Sequence, residues 1–269
     1  MKRLSVNCDD FGLSPGVNNG VKQAFQAGVL SDASLMLNGP ACAEALDTSR
    51  EIGLPLALHL NLVRGRMLSA ATLLPCSVPK LWSAWLLSAK MRLQAEVELR
   101  QQVESALERG VNPVQLNSEK HFHFFPPIFR LFVRLAVEYK VPGVRFIKEW
   151  YFLPWPIQKF KADLLSSFAL VNRAAALAAG LLTTGHFRGI ALTGRLDLER
   201  LIRLLARLPQ GWTELMVHLS AADDLPPAMG KTFLHRSRLV ELQALLAPEI
   251  PPILKNNGIE LLSLGGKHG

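Results

Sequence analysis

The sequence predicts a TIM-barrel-like (β/α) barrel, an α/β fold in a single domain spanning residues 1–269. Short strand-like runs alternate with helical ones, which is the pattern of a parallel sheet with right-handed crossovers. The 269 residues are 49% hydrophobic and 19% charged, which supplies one large core and excludes a disordered chain or a small disulfide-stapled scaffold. No linker rich in Gly, Ser or Pro divides the chain, so one closed barrel fits the length better than two domains.

The first half of the chain predicts five elements. Leu4–Cys8 is a short apolar run typical of a strand, and apolar residues at helical spacing predict a helix over Gly16–Gly28. Leu54–Val63 is the clearest strand, because leucines occupy alternate positions. One apolar face predicts a helix over Glu96–Gly110, whose final glycine suits a C-cap. Val114–Glu119 is the next predicted strand.

The second half continues the alternation. Ile128–Tyr139 predicts a helix that stops before a proline, and Val144–Ile147 predicts a strand. Asp197 is an N-cap for a helix that runs to about Leu208. Glu214–Leu219 predicts a further strand, and Ile259–Leu264 ends the pattern.

Two stretches interrupt the alternation, at about residues 66–95 and 149–187. Both are rich in leucine and aromatic residues, including Trp82–Leu87 and Trp150–Trp155. We interpret them as insertions at the loop end of the barrel. They are either satellite core, which is the commoner fate of apolar residues, or an apolar lid or groove for a greasy part of a substrate.

Charge and cysteine content indicate the kind of partner and the compartment of the protein. The 30 Lys and Arg against 22 Asp and Glu give a formal charge of +8, which favours anionic partners. Cys8, Cys42 and Cys76 form no CxxC pair, as suits a reducing compartment. There is neither a signal peptide nor an apolar run that approaches the roughly 18 residues of a membrane span, so we expect a cytoplasmic protein.

Common site motifs are missing from the sequence. It holds no GxxxxGK[ST] phosphate loop, no GxGxxG and no GxSxG elbow. Basic residues are scattered among leucines, and no module for DNA or RNA is present. We therefore predict no nucleic-acid partner.

Polar residues at strand ends are the candidate site. Asp9 and Asp10 directly follow the first strand, where barrel active sites lie. Because neighbouring side chains diverge on a strand, one acid can bind a metal while the other accepts a proton. Ser14-Pro15 also resembles a helix start, so a capping role for the acids is an equal alternative. His59 is either a satisfied core histidine or a ligand.

The densest polar cluster is residues 117–123. Glu119 shares a strand face with other polar residues and is expected to project into the barrel mouth beside His59. His121 and His123 follow at a turn, where they can either bind zinc or flank a site by hydrogen bonding. His218 lies on a fourth predicted strand, and so many titratable groups at strand ends favour a site over a core.

These residues resemble the YdjC-like carbohydrate deacetylases. The segments that carry the resemblance, in order along nearly the whole chain, are VNCDDFGLSPGVN at 6–18, SLMLNGPA at 34–41, LHLNL at 58–62, NSEKHFH at 117–123, GIALTG at 189–194 and TELMVH at 213–218. The acidic opening joined to the HLN strand is the specific part. The last two segments look closest to the hopanoid-biosynthesis (HpnK) branch.

The resemblance implies a TIM-barrel-like fold and hydrolysis of an N-acetyl group on an amino sugar, with one divalent metal ion, Mg²⁺ or Zn²⁺. By position, Asp10 resembles the metal-binding acid and His59 the first metal-binding histidine. Asp9 resembles the acid that serves as base, and His218 a histidine that acts as general acid.

Two departures from the family pattern bear on the site. Glu119 stands where the family commonly has its second histidine ligand. Since glutamate binds zinc and harder cations, the resemblance implies a ligand set of Asp10, His59 and Glu119, with His121 or His123 as alternates. The late motif reads His218-Leu219-Ser220 where the family commonly has His-Pro-Gly.

The insertions and the resemblance also predict the partner. Apolar residues rimmed by lysines suit contact with an anionic membrane face, and the HpnK branch implies a lipid-linked sugar of the hopanoid type. We expect an N-acetylated sugar or glycolipid as substrate, met by a cytoplasmic protein at the inner membrane face. The alternative is a barrel of the same family that binds a glycan or glycolipid without turnover. A homodimer is left open.

Overall fold

The computed structural model describes residues 1–70, 77–149, 156–226 and 234–265. A sheet of parallel strands forms its centre. The strands are β1 Lys2–Phe11, β2 Asp32–Leu35, β3 Leu56–Leu60, β4 Leu116–Ser118, β5 His186–Arg188, β6 Gly211–Val217 and β7 Ile259–Leu261. The predicted Trp150–Trp155 segment lies outside the described residues.

Helices connect the strands and pack around the sheet. They are α1 Pro15–Gln26, α2 Cys42–Ile52, α3 Val78–Leu87, α4 Ala89–Glu108, α5 Pro126–Glu138, α6 Pro156–Ser167, α7 Ala169–Ala178, α8 Leu198–Ala206, α9 Leu234–Leu246 and α10 Ile250–Asn256, with a 3-10 helix at Glu119–Phe124. Two N-caps follow directly from sequence. Ser14 accepts the Val17 N–H at the start of α1, and Asp197 accepts the Arg200 N–H at the start of α8.

The strand order is β4-β3-β2-β1-β6-β5, with β7 also beside β1. β1 is central because both of its edges pair with neighbouring strands. Along one edge its first residues pair with β7 and its last with β2, and along the other edge it pairs with β6. Strands β2 and β3 are buried along their whole length, and β1 is buried from Leu4 onward, as expected for a parallel sheet covered on both faces.

A short irregular segment after α5 joins the two edges of this sheet. The Leu116 N–H of β4 donates to the Gly143 carbonyl at 2.9 Å, and the Arg145 N–H donates back to the Leu116 carbonyl at 2.9 Å. On the other side, the Phe187 N–H of β5 donates to the Lys148 carbonyl at 3.3 Å. The parallel sheet therefore curls into a barrel, and the predicted fold class is confirmed.

Several predicted boundaries differ from the structure, and the predicted strand Val144–Ile147 forms only an isolated bridge, between Val144 and Leu116. Glu119 was predicted inside a strand, but β4 ends at Ser118 and Glu119 begins the 3-10 helix, where Lys120 and His121 take φ of 51° and 57°. The predicted helix at Glu96 begins earlier, at Ala89, because Ser88 caps it by accepting the Met91 N–H. Among the described residues, no helix combines the length and hydropathy required to cross a bilayer.

Candidate metal centre and active site

Three side chains converge at the carboxyl ends of the strands. Asp10 comes from β1, His59 from β3 and Glu119 from the residue after β4, and one ligand atom of each lies within 4.8 Å of the others. The His59 Nε2 is 3.5 Å from Asp10 Oδ1 and 3.3 Å from Glu119 Oε2. All three residues are buried. Strand ends meet at one rim of a parallel barrel, which is why residues so distant in sequence come together.

A bulge near the end of β1 aims both neighbouring acids at this point. The pairing of β1 with β2 shifts register between Cys8 and Phe11, and Asp10 adopts a φ of 69°. Aspartate tolerates this left-handed conformation better than most residues. As a result the side chains do not diverge as predicted for a regular strand, since Asp9 Oδ1 also lies 3.9 Å from His59 Nδ1.

The orientation of the His59 ring suits a metal ligand. Its Nδ1 is 2.7 Å from Asn117 Oδ1, an acceptor that places the proton on Nδ1 and leaves the Nε2 lone pair facing the two carboxylates. Burial alone would lower the pKa of His59, but Asp9, Asp10 and Glu119 raise it to about 10. The carboxylates therefore favour a positive charge at Nε2. One imidazole with two carboxylates is a donor set that fits Zn²⁺ or Mg²⁺.

Asp9 is held by a buried arginine that no motif in the sequence indicates. Arg145 is fully buried and donates from Nη1 and Nη2 to the two Asp9 oxygens, each at 2.8 Å, and from Nε to Glu214 Oε1 at 2.6 Å. Burial opposes ionisation of Asp9, but the Arg145 charge prevails and lowers its pKa. Asp9 is thus a fixed carboxylate beside the His59 ring.

His218 lies one residue beyond the end of β6. Its backbone N–H donates to Glu241 Oε2 at 2.8 Å, and its Nδ1 is buried without a hydrogen-bond partner among the described residues. Burial and the charge of Arg238 lower the pKa of His218 to about 4, against the opposing charges of Asp10 and Asp9. The ring is therefore neutral at neutral pH.

The two alternate histidines lie elsewhere. His123 Nδ1 is 2.6 Å from Ser118 Oγ, and the ring stacks on Phe132 at a centroid distance of 5.1 Å. His121 packs edge-on against Phe187 at 6.1 Å. Neither belongs to the convergent group of Asp10, His59 and Glu119.

Comparison with known proteins identifies the family. The model of the YdjC-like protein family matches residues 3–256. The chain belongs to the YdjC-like family.

Several relatives of this YdjC-like chain align with nearly all of it. It is 30% identical to a carbohydrate deacetylase of Geobacillus stearothermophilus, over 96% of this chain and 95% of the relative. It is 28% identical to a carbohydrate deacetylase of Mus musculus, over 97% and 94%. A provisionally named cellobiose-phosphate cleavage protein from Enterococcus faecalis shares the fold, with a TM-score of 0.69 at 18% identity over 98% and 97% of the chains.

Beneath the site of this YdjC-like protein lies a layer of buried polar residues. Asn7 Nδ2 and Ser31 Oγ donate to the two oxygens of Asp32, and Ser34 Oγ donates to Asn7 Oδ1 at 2.6 Å. Burial raises the pKa of Asp32 to about 7, and Glu214 adds to the rise. The layer connects to the site, because Asn117 donates to Ser34 Oγ at 2.7 Å.

We expect Asp32→Asn to change the pH dependence of stability. Between the ordinary Asp pKa of 3.8 and about 7, only the unfolded chain loses the Asp32 proton, so the wild type loses stability as the pH rises through this window. An amide avoids that loss, at most about 1.4 kcal/mol for each pH unit. The free energy of unfolding of the variant, measured in urea, should therefore rise relative to that of the wild type between about pH 5 and about pH 7.5. A difference independent of pH would contradict this.

Proposed function

We propose that this protein is a metal-dependent deacetylase that removes the acetyl group from an N-acetylated amino sugar. The convergence of Asp10, His59 and Glu119 beside the fixed Asp9 carboxylate is the observation that carries the proposal. It is supported by full-length relatives named carbohydrate deacetylase. The reaction class is hydrolysis of a linear amide.

In this proposal Asp10, His59 and Glu119 hold one divalent cation, Zn²⁺ or Mg²⁺. Such a cation, when bound, polarises an acetyl carbonyl and makes a water molecule more acidic. The protein supplies the donor atoms already oriented: Asn117 fixes the His59 ring, and burial excludes bulk water from all three ligands.

Asp9 is the proposed proton acceptor. Its lowered pKa keeps the carboxylate ionised at neutral pH, and the two hydrogen bonds from Arg145 hold it beside the ligands. A fixed, ionised carboxylate can take a proton from the attacking water at Oδ1. Arg145 limits its basicity, so the proton is readily passed on.

His218 is the proposed proton donor to the departing amine. Because its pKa is lowered to about 4, the ring is neutral between turnovers, and the proton that it gives to the amine is the one that Asp9 takes from the attacking water. The same low pKa makes transfer from the imidazolium to an amine strongly favourable.

We further propose a lipid-linked or amphiphilic substrate of the hopanoid type, met at the inner membrane face by a cytoplasmic protein. The insertions support it, because large apolar side chains protrude there: Leu86 is 60% exposed, Leu87 87%, Phe160 69% and Leu170 82%. Lys80 and Lys159 lie in α3 and α6, which carry three of these side chains, and Lys90 lies at the start of α4, directly after α3, as suits an anionic membrane surface. Other insertion residues are core, since Leu81 and Trp85 are buried.

Two substrates test this proposal together. Acetate and free amine are measured with a soluble chitooligosaccharide and with an N-acetylglucosaminyl lipid in anionic vesicles. We expect turnover of both and faster release from the lipid, an advantage that a Leu86→Ser/Leu87→Ser double variant should lose. Equal rates of acetate release from both substrates would contradict the proposal of a lipid-linked substrate. Glycan binding without acetate release would instead favour a non-catalytic, glycan-binding barrel.

A further inference from the structure

Each carboxylate of the candidate metal centre has one oxygen occupied by an arginine. Asp10 turns Oδ1 toward His59 Nε2, while its Oδ2 accepts from Arg238 Nη2. Glu119 does the same, with Oε2 facing His59 Nε2 at 3.3 Å and Oε1 bonded to Arg64 Nε at 2.8 Å. Only one oxygen of each acid is therefore directed at the point where the ligands converge.

The loop that carries Arg64 is tied down by Asn61, the asparagine of the HLN motif. Asn61 Oδ1 accepts the N–H groups of Val63 and Arg64 at 2.8 and 3.0 Å, and its Nδ2 donates to the Arg64 carbonyl at 2.8 Å. Asn38 Nδ2 donates to the same carbonyl at 3.2 Å. Both backbone polar groups of Arg64 are thus fixed.

Helix α4 in turn fixes Asn61. The Gln102 side chain accepts the Asn61 N–H at 2.9 Å and donates to the Asn61 carbonyl at 2.8 Å. Gln102 also donates to Glu98 at 2.7 Å, and both of these α4 side chains are buried. A continuous set of hydrogen bonds therefore runs from α4 through Asn61 to Arg64, whose side chain pairs with Glu119.

The charges of the centre also balance. Asp10 and Glu119 bring two negative charges, and Arg238 and Arg64 return two positive ones at short range. The two arginines therefore offset part of the negative charge that faces His59 Nε2, and the geometry of the donors contributes to the choice between cations. An imidazole nitrogen and two single carboxylate oxygens suit four-coordinate Zn²⁺, whereas Ca²⁺ takes about six to eight oxygens and commonly uses both oxygens of a carboxylate.

We propose that Arg64 is a positioning residue that restricts Glu119 to one donor oxygen and thereby sets a preference for Zn²⁺ over Ca²⁺. This inference rests on the metal centre of the proposed function. It also gives Asn61 a role, since the HLN asparagine orients the loop and does not itself reach the centre through any described contact.

The test compares the binding of ZnCl₂ and CaCl₂ to purified, metal-free protein by calorimetry. In Arg64→Met the second Glu119 oxygen is released, and we expect the ratio of Zn²⁺ to Ca²⁺ affinity to fall at least about tenfold, a typical effect of losing a ligand's hydrogen-bond partner. Arg64→Lys retains a positive charge and should keep part of the preference. Arg66→Met is the matched control, because Arg66 lies two residues away and is exposed.

The outcomes separate this inference from the function on which it rests. If Arg64→Met weakens both ions equally, or leaves the ratio unchanged, Arg64 has at most a structural role and the inference fails while the centre stands. If the wild type binds neither ion, or if the Asp10→Ala variant binds both ions as tightly as the wild type does, the metal centre itself is wrong. A ratio that falls in Arg64→Met and holds in Arg66→Met supports the proposal.

Discussion

Asp9→Asn is expected to abolish most of the acetate release while the protein still binds its metal ion. An amide at position 9 cannot take a proton from water, and removal of a general base commonly costs about 10²–10⁴-fold in rate. The metal ligands Asp10, His59 and Glu119 remain in place. The rate of acetate release and the metal content by elemental analysis, measured on the same preparation, check both halves of this prediction.

Asp32→Asn is the matched control for this change. Asp32 is a second buried aspartate in the same polar network, but its polar contacts are with Asn7, Ser31 and Ser263, and it lies outside the ligand group of Asp10, His59 and Glu119. The control should therefore retain acetate release. If Asp9→Asn hydrolyses the substrate as fast as the wild type, Asp9 is not the base and the proposed division of roles is wrong.

Much of the barrel and of the site could be predicted from sequence. The strands of β1, β3 and β6 and the helices α1, α5 and α8 were predicted because their apolar periodicity is strong. Strands β2 and β5 were missed, since runs of four and three residues carry too little periodicity. Asp9, Asp10, His59 and Glu119 were found because strand ends meet at one rim of a parallel barrel.

The arginines of the site could not be predicted in this way. Arg145 stands alone in an apolar run, and arginine is ordinarily exposed; its full burial follows only from the closure of the barrel around Asp9 and Glu214. Arg64 and Arg238 come from a loop and from α9, so no periodicity connects them to the ligands. The path of the chain around Glu119 depends on the positive φ values of Lys120 and His121, and these residue types give no indication of such values in the sequence.

Metal removal is expected to have the largest effect of all. The His59 ring lies among three carboxylates, and without a metal ion a proton occupies Nε2, because the pKa of His59 is raised to about 10. A protonated ring can neither bind nor orient a substrate as a metal ion would. We therefore expect the metal-free protein to be folded and inactive.

The most direct measurement is acetate release by protein stripped with a chelator, dialysed and then titrated with Zn²⁺ or Mg²⁺. The account predicts that activity disappears on stripping and returns in full with one ion per chain, and that His59→Gln, treated identically, recovers none. Full acetate release by the metal-free wild type, or recovery by His59→Gln equal to that of the wild type, would contradict the claim that Asp10, His59 and Glu119 form a catalytic metal centre.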